Sequence, residues 1–281
     1  MEIRVGCDFE YETEWPTPAV MQVQPHVEGA HRVIHQSWES DPPVAMHEFS
    51  DLYGNACRRF ILPGGDLQLR YDALVEVPDD PDELDPDAEQ LAVEDLPDET
   101  LHFTLPSRYC LSDVLSGTAW ELFGGTQPGW GRVQAICDWV HENIRFQYGS
   151  STPLTTAVDV YERRTGVCRD FAHLAVTFCR AMNIPARYVF GYLPDIGVPP
   201  PEYPMDFCAW FEAFLGGRWR TFDPRNNERR VGRVVIGRGR DALDVAMVTT
   251  YGSHRLRSMV VRADEVQPVA AAGRKGGTSP A

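Results

Sequence analysis

Residues 206–224 read DFCAWFEAFLGGRWRTFDP, two aromatic-rich runs either side of Gly216-Gly217. A Gly-Gly pair between such runs predicts a two-residue hairpin loop, because the turns that match strand twist need positive φ at both central positions. The loop fixes the register: Leu215 faces Arg218, and each opposed pair follows outward until Trp210 faces Asp223. Side chains alternate along a strand, so Cys208, Trp210 and Asp223 fall on one face, with Cys208 and Asp223 about 7 Å apart at Cβ. Glu212 shares that face, where a cleft contact and strand-end solvation are both open. Trp210 and Trp219 read first as core aromatics. The hairpin commits the chain to antiparallel sheet and aims a thiol and a carboxylate at one region.

Forty residues before Cys208 stands a second thiol, in TGVCRDFAHLAVTFCRAMNIP. Phe171, Leu174, Ala175, Phe178 and Met182 form one apolar stripe at helical spacing, which predicts a helix pressed into the core. Cys168 falls in its first turn, just after Gly166, which can supply a tight helix entry. Unpaired backbone N–H groups and the positive end of the helix dipole favour thiolate there, and the same groups can hold an oxyanion. An ordinary buried cysteine is the competing interpretation, and Cys179, on the apolar stripe, is assigned to the core. Arg169 and Asp170 are expected to cap and pair at the helix start, where an acid suits the dipole.

The rest of the chain divides by pattern. VGCDFEYETEW, ACRRFILPG and LQLRYDALVEV mix β-branched and aromatic residues between turn signals, predicting a β-rich, sandwich-like domain over residues 1–104. Inside it, PDDPDELDPDAEQ dominates an acidic stretch, 78–99, whose composition predicts a solvated loop or linker. Residues 105–266 are expected to form a second domain. SDVLSGTAWELFGG and GRVQAICDWVHENIRF predict amphipathic helices, and TTAVDVYERRTG a shorter one ending at Gly166. After Pro185 the period changes to strands: ARYVFGYLP, the hairpin, RVVIGRG and DVAMVTTYG. Residues 267–281 lack an apolar period and are expected to be disordered.

With 281 residues the chain can bury a core without staples. A formal net charge of −15 argues against nucleic acid or an anionic membrane as partner, leaving small molecules, peptides and proteins. The seven cysteines, at 7, 57, 110, 137, 168, 179 and 208, include no C-x-x-C pair, so no disulfide framework, zinc ribbon or other cofactor signature is present. The acidic, aromatic start lacks the pattern of a signal peptide or membrane span, and a cytoplasmic protein is expected.

In order along the chain, IRFQYGSSTPLTTAVDVYERRTGVCRDFAHLAVTFCRAMNIPARYVFGYL, DFCAWFEAFLGGRWRTFDP and GRGRDALDVAMVTTYG resemble the bacterial transglutaminase-like family of cysteine-protease type, over roughly residues 105–260. The resemblance implies an α+β fold with a papain-like core, an antiparallel sheet packed on a Cys-bearing helix, and a β-rich region before it. It also implies a helix-start Cys nucleophile, a strand His base and an Asp that orients the His. Carried across, Cys168 takes the nucleophile position and Asp223 the orienting position. The family's His-Ala-Trp reads Cys208-Ala209-Trp210 here, so a second thiol stands where imidazole is expected.

Imidazole accepts and returns a proton near neutrality; a thiol near pKa 8.5, beside a second thiolate and Asp223, does so poorly. The resulting expectation is a cysteine protease or acyltransferase homologue, altered or impaired, acting through Cys168 on amide or ester carbonyls of a peptide or protein substrate. Two alternatives remain: an inactive peptide- or protein-binding module, and a two-thiol redox or metal site in which Cys168, Cys208 and Asp223 would ligate zinc. No other histidine is expected to substitute. His173 points about 140° away from Cys168 around the helix, His141 falls on a polar helix face, and His254 lies in a loop.

Overall fold

The computed structural model describes residues 1–26, 28–29, 31–199 and 203–266; the tail expected to be disordered lies outside them. Six strands come first: β1 (Glu2–Thr13), β2 (Thr17–Met21), β3 (Arg32–Asp41), β4 (His47–Ser50), β5 (Ala56–Leu62) and β6 (Gly65–Glu76). The long pairing of β1 with β6 follows from alternation. Ile3, Val5, Cys7, Phe9 and Tyr11 of β1, and Leu67, Leu69, Tyr71, Ala73 and Val75 of β6, all point into one core. Burial of each large aliphatic or aromatic side chain there is worth about 1.5–3 kcal/mol.

The helices follow: α1 (Ser116–Phe123), α2 (Trp130–Asn143), α3 (Ala157–Arg163) and α4 (Cys168–Ala181), with two-residue strands β7 (Arg145–Phe146) and β8 (Thr165–Gly166) pairing in parallel between them. Then come β9 (Ala186–Tyr192), β10 (Cys208–Leu215), β11 (Arg218–Phe222), β12 (Val234–Gly239), β13 (Val248–Thr250) and β14 (Arg255–Glu265). Three antiparallel sheets result, ordered β14-β1-β6-β3, β13-β2-β5-β4 and β11-β10-β9-β12. The mixed α+β architecture is the one expected. One boundary is corrected. The last two strands, assigned above to the second domain, return to the first: β14 pairs along nearly all of β1, and β13 pairs with β2. Local alternation reveals a strand but not its partner, so that return was invisible in the sequence.

Helix α4 is the hub of the second block. Its apolar stripe is buried as predicted, and so is its polar side: His173, Thr177 and Arg180 are all within the core. Buried polar groups need partners. The Arg180 guanidinium donates to the carbonyls of Ala186, Leu105 and Arg240, and the Thr177 hydroxyl to that of His173. Helix α3 stops earlier than expected, at Arg163, with Arg164 taking the left-handed conformation at φ 58°. Gly166 is required for closeness instead: a Cβ there would lie 2.8 Å from the Asp170 Cβ.

The acidic stretch is the largely exposed loop expected, but it is strapped along the β10–β11 hairpin by arginines. Asp82 pairs with Arg233 at 2.8 Å and accepts the Arg230 N–H at 3.0 Å; Glu83 pairs with Arg218 and Arg220, and Asp85 with Arg220. Ala88 enters the helical core, and the Glu89 carbonyl accepts the Gly216 N–H at 2.8 Å. Read alone the composition cannot order itself; read with its distant cations, it does.

Candidate active site

The hairpin has the predicted register. Leu215 faces Arg218 and the pairing continues to Phe211 opposite Phe222, with Gly216 and Gly217 at φ 58° and 80°. Alternation sends Phe211, Ala213 and Leu215 into the helical core, while Cys208 and Trp210 pack on the other side with Val189, Leu193 and Val235. The first residue of α4 reaches the same place: Cys168 packs against that second cluster. Its sulfur lies 4.0 Å from the Phe207 carbonyl and meets the Ala209 N–H. Helix start and strand start thus bring the two predicted thiols together, Cys168 partly exposed and Cys208 buried, both free.

The helix entry is built by Asp170. Its buried carboxylate accepts the Val167 N–H at 2.8 Å, the Ser151 hydroxyl at 3.0 Å and the Arg169 guanidinium at 3.2 Å. These are the capping and pairing roles expected of Arg169 and Asp170, and they fix the turn that carries Cys168.

Asp223 is close but turned to other partners. One oxygen accepts the backbone N–H of Arg225 and of Asn226, each at 3.1 Å; the other accepts the Asn226 amide at 2.8 Å and the Arg233 guanidinium at 2.9 Å. Burial alone would raise this carboxyl, but Arg233 and Asn226 outweigh it and hold it below the ordinary carboxylate value. It therefore folds the loop after β11 rather than hydrogen-bonding Cys208. Because its oxygens are taken, the three-ligand zinc arrangement does not form, and among the described residues no group of three or more His, Cys, Asp or Glu side chains is placed to hold a metal ion.

That loop delivers a residue the sequence analysis missed. The Arg225 guanidinium lines the same cleft as Cys208, and its charge acts on both thiols and on Asp223. It stacks over the Phe146 ring at 4.3 Å, and its carbonyl accepts from His141 Nδ1 at 2.9 Å. The two sulfurs respond in opposite directions. A hydrogen bond from the Cys208 thiol lowers the Cys168 pKa against the effect of burial, with help from Arg225 and the Ala209 N–H. That hydrogen bond, burial and the Cys168 charge push Cys208 well above the ordinary thiol value. Charge is thus favoured at Cys168 over Cys208.

A cleft of ≈ 260 Å³ opens onto Cys208 and Arg225, walled by Tyr148, Tyr203, Met205 and Asp206. Of the other residues singled out, Glu212 does not line that cleft: it is buried between Arg187 and Arg238, at 2.5 and 3.1 Å, on the wall of a separate cavity of ≈ 320 Å³ beside Trp210. His173 accepts the Ala242 N–H at Nε2 and stacks on Tyr109, a structural role. His254 pairs with Thr250 between β13 and β14. A signal for Arg225 was present: PRNNERRVGR, following Asp223, concentrates arginine opposite the acidic strap.

Comparison with known proteins bears on this constellation. The profile described as Transglutaminase-like superfamily matches residues 117–224, a span that holds Cys168, Cys208 and Asp223. The solved structure "Putative Cysteine Protease from Cytophaga hutchinsonii" aligns with a TM-score of 0.87 and 32% identity over 96% of this chain and 92% of that one. Uncharacterized protein ML0607 of Mycobacterium leprae is 26% identical over 260 residues, 87% of this chain and 90% of its own. Uncharacterized protein Rv2569c of Mycobacterium tuberculosis is 35% identical over 115 residues, 38% of this chain and 37% of its own. Among the described residues, no helix is long and apolar enough to cross a membrane.

Proposed function

The chain belongs to the transglutaminase-like superfamily, and on that premise we propose that it is a thiol acyl-transfer enzyme whose acyl donors carry a self-sufficient leaving group. The donors are thioesters or activated esters presented on a peptide or protein, rather than unactivated amides. The observation that carries this reading is the pairing of Cys168 with Cys208 and Arg225 in place of imidazole.

An imidazole has two jobs in such a site: its charge stabilises the thiolate, and it moves a proton to the leaving group. Arg225 supports only the first. Its guanidinium stays charged throughout the useful pH range, so it stabilises the Cys168 thiolate but neither accepts nor returns a proton. Cys208, with its pKa pushed well up, keeps its proton at neutral pH and serves as a hydrogen-bond donor to Cys168. The thiolate attacks the carbonyl, the leaving group departs as a stable anion, and water or an amine then takes the acyl group from sulfur. Backbone N–H groups at the start of α4 suit the developing oxyanion. An amine leaving group needs protonation, and without a base-acid residue that step is slower by about 100- to 10,000-fold.

The test pairs a thioester with an amide of the same acyl group. Turnover of the thioester, with the acyl group found on Cys168 by peptide mass mapping, is the expected outcome, and Cys168→Ser should abolish both signals. If no acyl group is ever found on Cys168, the reading fails.

A further inference from the structure

We propose that Cys168 and Cys208 together consume a hydroperoxide, Cys168 as the attacking sulfur and Cys208 as the resolving one, an activity distinct from acyl transfer. Four observations carry it. Cys168 is partly exposed and packs against the small cluster that holds a second free thiol, Cys208, an arrangement that suits a redox-active cysteine. The cleft that opens onto Cys208 is lined by Arg225, whose guanidinium can donate to the departing oxygen of a peroxide. The sulfurs sit at the starts of two separate elements, α4 and β10. No other cysteine competes: burial raises Cys7 and Cys110 to about 12 and also raises Cys57, Cys137 and Cys179.

The steps balance. The Cys168 thiolate attacks one oxygen of the hydroperoxide; the O–O bond breaks, an S–O bond forms, and the other oxygen leaves as hydroxide or alkoxide, which takes a proton from water. Cys168 is now a neutral sulfenic acid. The charge and the accepted hydrogen bond that held Cys208 protonated are then gone, while Arg225 still favours its thiolate. Cys208 loses its proton and attacks the Cys168 sulfur, the S–O bond breaks, and hydroxide takes up that proton as water. In sum, two thiols and one hydrogen peroxide give one disulfide and two waters. A small dithiol restores the pair by exchange, being oxidised in turn. The disulfide form has no nucleophile, so peroxide also switches acyl transfer off.

The experiment treats fully reduced protein with one equivalent of hydrogen peroxide at neutral pH, reads intact mass and maps disulfides. Loss of two hydrogens, with Cys168 and Cys208 joined and reversal by dithiothreitol, is expected. Cys208→Ser should instead stop at a sulfenic acid that dimedone traps on Cys168. Absence of the two-hydrogen loss, a cross-link at other cysteines, or an unlabelled Cys168 in Cys208→Ser would each overturn the proposal. Thioester turnover measured on the same reduced protein separates the two readings, since either activity can fail while the other stands.

Discussion

Helix α4 carries two cysteines of contrasting character, one at each end, and each faces a second cysteine on a neighbouring element. Cys179 shares the helical core with Cys137 of α2, where burial pushes both thiols upward and the Cys179 charge raises Cys137 further. Cys168 meets Cys208 of β10, and there one thiol is lowered at the other's expense. Residue type and helix are the same. What differs is the company: free N–H groups at the helix start, an open cleft, and Arg225 brought in by the loop after β11. Burial alone makes a thiol inert, and a fixed cation with a hydrogen-bond donor makes its neighbour reactive.

The largest change should come from restoring what the site pair lacks. Cys208→His places an imidazole on the wall of the 260 Å³ cleft, which gives the larger ring room. Amide turnover should rise about 100-fold or more over the parent, the usual worth of a positioned base and acid. A folded variant with no gain would show that Asp223, committed to Arg233 and Asn226, no longer orients a base, and Asp223 would then be a loop-folding residue only.

Arg225 tests the comparison from the other side. In Arg225→Gln the Cys168 sulfur keeps its helix start and its Cys208 neighbour but loses the cation. The pH midpoint of iodoacetamide labelling in the wild-type protein should lie below about 8.5, the unperturbed thiol value. In the variant it should rise, slowing labelling at neutral pH. An unmoved midpoint would assign the lowering to the helix start and Cys208 alone. Cys137 and Cys179 should stay unlabelled in both proteins until they unfold.

How much of this was legible follows from range. The hairpin register was written in a Gly-Gly pair and the alternation beside it, and the α4 core stripe in its own spacing. Both are local; that Cys168 and Cys208 meet was implied by the family resemblance, not by either pattern. Arg225, Arg233 and Asp82 could not, because each matters through a partner distant in sequence or brought near by a loop. Glu212 failed for the same reason: nothing near it in sequence announces Arg187 or Arg238, the cations that bury it. The acidic strap and β14 repeat the lesson, since their own composition is silent about what they lie against.

The smallest effect on the thiols should come from the strap, which separates the folding role of the arginines from their electrostatic one. Asp82 and Asp223 share Arg233, so Asp82→Asn leaves that guanidinium with one full carboxylate partner and one weakened contact. Losing one charge-assisted contact of this kind costs about 1–2 kcal/mol, read as a lower denaturation midpoint. Acid should act on the same junction. Asp223 has a folded pKa below its unfolded value near 3.9, so its contribution is complete above that value and drains away as pH falls through the folded one. Labelling of Cys168 at neutral pH should stay within about twofold of wild type, because Arg225 and not Arg233 is the cation that lowers it. A slowing comparable to Arg225→Gln would place the strap inside the electrostatic circuit of the two sulfurs, and the contrast between the ends of α4 would then depend on the first domain's linker as well as on the loop after β11.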